Sequence, residues 1–211
     1  MSRNKKIILI CFCVGLICAV WAFFIGRSAV SPKESPEAVI QNFFTAVSKG
    51  NLNEARKFLI PGEEKVLRDP VSTLSQSTFA NLKVETIGNT VHSGDGTIIV
   101  DVTLQRLNTK QIMNKAAFLM IDEMMLQSQT AVPEISEPDK VMNDIYEEIL
   151  SQGDLPTESV LCLTTLKEID HEWKIIPDDL FIRTIEGNLQ ENINSIRTLF
   201  EKTENESTPS P

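Results

Sequence analysis

The chain has 211 residues, with 20 Lys and Arg against 29 Asp and Glu, and only two histidines. Four of the basic side chains, Arg3, Lys5, Lys6 and Arg27, flank one apolar run, so residues 28–211 keep 16 basic against 29 acidic groups, a net charge of −13. That balance argues against nucleic acid and against anionic lipid as partners of this region, because both need clustered positive charge.

Residues 7–26 contain no charged side chain. As a helix rising about 1.5 Å per residue the run reaches roughly 30 Å, the hydrocarbon thickness of a bilayer. It is expected to be a transmembrane anchor. Arg3, Lys5 and Lys6 precede it and only Arg27 follows closely, so residues 1–6 should stay in the cytoplasm while the rest of the chain crosses. The competing reading is a cleavable signal peptide, whose apolar core is normally about 7–15 residues long and ends at a small-x-small site. Here the core is longer, and Trp21, Phe23, Phe24 and Ile25 stand where small residues are wanted.

Cys11, Cys13 and Cys18 lie inside the run, where a thiol behaves as a small apolar group. Lipid attachment at Cys18 after cleavage is an alternative. Gly15-Leu16-Ile17-Cys18 departs from the usual pattern, which places a small residue directly before the cysteine. Cys162, the one cysteine beyond the run, cannot form an internal disulfide. The fold must therefore stand on its apolar core, even in an oxidising compartment. About 180 residues follow the anchor, enough for one domain that buries roughly 70% of its unfolded surface.

Residues 27–35 read as a linker, small, polar and proline-containing. Ser35-Pro36-Glu37 then combines an N-cap, a first-turn proline and an early acid, which opens a helix. Val39, Ile40, Phe43, Phe44 and Val47 fall on one face, and Lys49-Gly50 ends it. Asn51-Leu52-Asn53-Glu54 repeats the start signal for a second helix, which Pro61-Gly62 stops. A helical turn or two, interrupted at Pro70, is expected over residues 63–81.

Residues 82–91 favour a strand and residues 92–96 a turn. Residues 97–107 alternate, with Ile98, Val100, Val102 and Leu104 on one side and Asp101, Thr103 and Gln105 on the other, so a hairpin with one buried face is predicted. Residues 110–128 form a helix that is apolar nearly all round. A second span is the alternative, but Lys115, Asp122 and Glu123 interrupt it. The helix should be buried, or cover something. After a loop at 129–136, Val141, Met142, Ile145, Ile149 and Leu150 align on a helix from Pro138 to Ser151.

Residues 157–169 and 173–176 make a second hairpin around Asp170-His171-Glu172. A short helix ends at Glu186-Gly187, and a last one carries Leu189, Ile193, Ile196, Leu199 and Phe200. The polar, proline-tipped stretch 203–211 is expected to be a disordered tail. The order of elements predicts an α+β domain over residues 36–202. It would have about four antiparallel strands packed with helices, and a helical insert at 109–152.

Ser35-Pro36-Glu37-Ala38-Val39-Ile40, Phe43-Phe44, Ala46, Lys49-Gly50-Asn51 and Ala55-Arg56-Lys57-Phe58-Leu59 resemble the opening helices of the nuclear-transport-factor-2-like superfamily. The closing segment, from Leu163 to Trp173-Lys174-Ile175, Leu180 and Ile185-Glu186-Gly187-Asn188, is similar too. The nearest likeness is to extracytoplasmic, often lipoprotein, members from Gram-positive bacteria. The resemblance implies a curved sheet wrapped around helices to leave a cone-shaped pocket. The absence of a lipobox departs from those members.

Chemistry is sparse. The sequence contains no HExxH, no Cys/His metal spacing, no phosphate-binding glycine loop and no GxSxG, and no catalytic residue, metal or cofactor is expected. His92 and His171 sit at hairpin turns, where solvated roles suit them. Asp101 is embedded mid-strand but opposite the apolar row, Glu147 and Glu148 read as a solvated helix face, and Trp173 as a sheet-packing residue. Met113, Phe118, Met120 and Met124 are the candidate ligand or partner surface, since methionine adapts to varied apolar shapes. A small apolar ligand, a peptide or an envelope protein is the partner expected, together with the membrane through residues 7–26. A cone-pocket isomerase or dehydratase and a structural envelope partner are the alternatives.

Overall fold

The computed structural model describes residues 34–128 and 138–195. The anchor at 7–26 with Cys18, the loop at 129–136, Ile196, Leu199, Phe200 and the tail at 203–211 lie outside the described residues. A compact unit begins at Ser35.

Helix α1, Pro36–Ser48, starts where its cap predicts: the Ser35 hydroxyl accepts from the Ala38 amide at 3.2 Å. Its apolar face, Val39, Ile40, Phe43, Phe44 and Val47, is buried. Gly50, at φ +72°, turns the chain into α2, Leu52–Arg56, a backbone region that glycine enters without a Cβ penalty. Arg56 holds the following loop, donating from Nη2 to the Leu67 carbonyl and to Asp69, both at 2.8 Å. A 3-10 turn, Glu64–Val66, precedes Pro70. Ser72 and Ser75 then cap each other's backbone to open α3, Thr73–Ala80.

Strands β1, Lys83–His92, β2, Thr97–Leu107, β3, Thr157–Ile169, and β4, Glu172–Ile176, form one antiparallel sheet in the order β1-β2-β3-β4. Both expected hairpins are present. They join through β2 and β3, which pair without interruption from Thr97 opposite Lys167 to Leu107 opposite Thr157. β1 is irregular, with register shifts between Val84 and Thr86 and between Ile87 and Thr90. Asp170 and His171 both take positive φ, 50° and 69°, in the turn between β3 and β4. On the outer side of β4, the Ile175 amide donates to the Phe58 carbonyl at 2.8 Å and the Ile60 amide to the Ile175 carbonyl at 2.9 Å. That contact covers an otherwise open edge.

One sheet face is buried. Ile98, Val100, Val102 and Leu104 meet Cys162, Leu166 and Ile175 beneath α1 and beneath α6, Asp179–Ile185. Phe43, Phe44 and Phe181 pack there with ring centroids 5.1–6.1 Å apart, close enough for edge-on aromatic attraction. A buried ion pair ties sheet to helix. Arg106 meets Glu158 at 2.8 Å and also donates to the Thr184 carbonyl at the end of α6.

Between β2 and β3 the chain leaves the sheet as two helices, α4, Thr109–Ser128, and α5, Pro138–Ser151. They share a second core: Ile112, Met113 and Ala116 of α4, Ile145 and Ile149 of α5, Leu74 of α3 and Leu107 of β2. α4 is not apolar all round in its surroundings. In its first half Ile112, Met113 and Ala116 are buried on one face while Lys110, Gln111, Asn114 and Lys115 are exposed, and further on Phe118, Ile121, Met125 and Leu126 are exposed because the second core does not extend over them. No helix among the described residues is long and apolar enough to cross a membrane.

Candidate functional site

The base of the α4–α5 pair is held by polar contacts at three points. Asn108 accepts the Gln111 amide on its side chain at 3.0 Å, capping α4, while its own amide donates to the Pro156 carbonyl at 2.8 Å. Thr109 donates to the Gly187 carbonyl, and Asn192 donates to both, at 3.0 Å to Thr109 and 3.3 Å to Gly187. Lys115 donates to Gln152 across the pair. The two helices are thus rooted at one end.

Beyond that root a groove of about 490 Å³ opens between them, lined by Leu119, Asp122, Glu123 and Leu126 of α4 and Val141, Asp144, Ile145 and Glu148 of α5. On each helix these positions step by three, one and three, the spacing that keeps side chains on one face. Four are apolar and four are carboxylates. Among the described residues no three acids, histidines or cysteines stand close enough to hold a metal ion, so the carboxylates are spread along the groove.

Of the four residues singled out from sequence, Met113, Phe118 and Met120 do not share one surface. Met113 is 3% exposed and packs in the second core, and Met120 is partly buried against it. Phe118 is 71% exposed on another side of α4. The Met124 side chain is outside the described set. What composition drew attention to was methionine. What the helices line up is Leu119, Leu126, Val141 and Ile145 with their carboxylates, and the signal for it was the shared three-four spacing of apolar and acidic residues on both helices.

Elsewhere the buried polar side chains among the described residues are five threonines and Arg106, with no carboxylate or histidine. His92 is exposed, and so is His171, whose nearest carboxylate is Glu168 at 3.7 Å. Asp101 is half-buried on the open sheet face, paired in register with Leu163. Leu161 and Leu163 are exposed on that same face. Burial pushes the Cys162 thiol up to about 11, which removes the thiolate that reactivity needs. Burial also raises the Glu186 carboxyl above its usual range, opposed by the charge of Arg68. Its cleft of about 500 Å³ is lined by polar side chains, Leu189 apart, and is not the apolar chamber that a cone-pocket acid or base would occupy. A further cleft of about 370 Å³, between the ends of α1 and α3, contains neither carboxylate nor histidine.

No protein-family model, no curated protein and no solved structure matches this chain.

Proposed function

We propose that this is a membrane-anchored, extracytoplasmic interaction domain of nuclear-transport-factor-2-like architecture, held in a Gram-positive type envelope by residues 7–26 and engaging a peptide or protein partner without catalysis. The charge asymmetry around the apolar run supports the orientation. The helix pair α1–α2 against one face of an antiparallel sheet supports the architecture. One observation carries the binding role. The outer half of α4 leaves Phe118, Ile121, Met125 and Leu126 exposed, and Leu126 among them lines the groove walled by α5; exposed apolar patches of this kind mark docking sites. A surface patch suits a polypeptide better than a small apolar ligand, which needs enclosure on most sides.

Protease treatment of wall-stripped cells that carry the full chain with a C-terminal tag tests the topology. The tag should be lost without lysis, and the chain should fractionate with membranes. A tag protected until detergent is added, or a chain recovered free in the cytosol, overturns the reading. The mass of the mature N-terminus separates the two anchors: Met1 for the transmembrane segment, an acylated Cys18 for the lipid alternative.

A further inference from the structure

We infer that the α4–α5 groove receives one kind of occupant, a cationic amphipathic helix from a partner polypeptide, laid along the pair as a third helix. The inference rests on the interaction role proposed above and names its partner class.

The groove has the shape of a helix seat. Two helices rooted together at Lys115–Gln152 present parallel rows, Leu119 to Leu126 and Val141 to Glu148, each about two turns long. Leu126 is 61% exposed, so apolar surface remains for a partner to cover. An apolar stripe from a third helix would meet exposed Leu126 and half-buried Leu119 and Val141, above Ile145 of the second core, as ridges meet grooves in helix packing.

The carboxylates decide which helix fits. Asp122, Asp144 and Glu148 interleave with the apolar residues, so any helix that seats there strips water from them. Covering a carboxylate without a counter-charge is strongly unfavourable. A purely apolar helix leaves them unpaired and an acidic one repels them, whereas Lys or Arg flanking an apolar stripe at three-four spacing pairs them. Long basic side chains also lay their aliphatic stems on apolar neighbours while the charge reaches outward. The same acids oppose docking on anionic lipid, and their dispersal leaves no metal site among the described residues.

The test uses the full chain in zwitterionic nanodiscs. Photoreactive benzoylphenylalanine replaces Leu126 in one variant and Leu180, which is 63% exposed on α6, in another. Three labelled probes of equal length are offered: a Leu/Lys amphipathic helix, its Leu/Glu counterpart, and the Leu/Lys composition scrambled to destroy the stripe. The Leu/Lys helix should cross-link at position 126 at least about tenfold more than at position 180, and more than either other probe. Adding Asp122→Lys with Asp144→Lys, both at exposed positions, should abolish that product and admit the Leu/Glu helix. Equal labelling at 126 and 180, indifference to probe charge or to the charge reversal, or a product that joins two copies of this chain each overturns the inference. The cross-linking does not depend on cellular topology. Failure here with protease-accessible cells removes only the groove, and success here with protected cells removes only the envelope assignment.

Discussion

The buried pair between Arg106 and Glu158 should respond asymmetrically to the loss of either partner. The Arg106 side chain is 6% exposed and that of Glu158 33%. Glu158→Ala strands a guanidinium inside the fold with the Thr184 carbonyl as its remaining acceptor, and removing one partner of a buried pair costs about 3–5 kcal/mol. Arg106→Met keeps an aliphatic stem in the same space. The remaining Glu158 carboxylate is exposed enough to hydrate, so the loss reduces to the donor at Thr184 and the pair itself, about 1–2 kcal/mol. Combining Arg106→Met with Glu158→Leu should bring the cost back below that of Glu158→Ala alone, since no charge is then buried. Urea unfolding of the full chain in nanodiscs reads this directly. With Trp21 replaced by Phe, Trp173, packed against the main core beside β3, is the only indole reporter. If Arg106→Met costs as much as Glu158→Ala, the account of which charge is stranded is wrong.

Three further outcomes can be checked. Gly187→Ala places a Cβ 2.7 Å from the Thr109 methyl at φ +71°, which should cost about 1–3 kcal/mol and lower Tm by roughly 2–12 °C. Gly153→Ala, at φ +76° with nothing within 4 Å, should cost less, and equal melting shifts would remove the steric part of the explanation. The Asp95 carboxylate accepts from the Thr97 hydroxyl at 2.7 Å and from its amide at 3.1 Å, which holds it down at about 2. Its contribution is therefore complete above its ordinary value of 3.8 and is lost as pH falls through about 2. An NMR titration should show this, with Thr97→Val moving the midpoint upward; an Asp95 that titrates normally refutes it. Glu186 is shifted the other way, chiefly by burial. It disfavours folding above its raised pKa, and the penalty disappears as pH falls towards 4.5. Glu186→Gln should thus raise Tm at pH 7 and leave it unchanged near pH 4, whereas a gain of equal size at both would show that charge is not the cause.

Much of the local structure is legible in the residues. Ser35-Pro36-Glu37 opens α1 and Gly50 closes it, and the alternation from Ile98 to Leu104 gives β2 its buried side. The site is not legible to the same degree. Met113 and Phe118 look equivalent as apolar positions of one helix, yet one is interior and the other exposed. Their fates depend on where α5 lies, which no local pattern in α4 encodes. β1 is a strand by propensity, but its register shifts and exposure come from its place at the edge of the sheet.

Periodicity and capping chemistry act within a few residues, so the amino-acid order alone determined which segments are helices, strands and turns. It also determined that the region beyond Arg27 is strongly acidic. Only the tertiary structure decided that the two hairpins join through β2 and β3 across a helical pair, and that this pair leaves an apolar groove edged with carboxylates. The pairing of β2 with β3 joins residues 50 to 70 positions apart, and the groove joins residues of two separate helices. They are set by the packing of whole elements, which the three-four and two-residue periods of single segments do not contain.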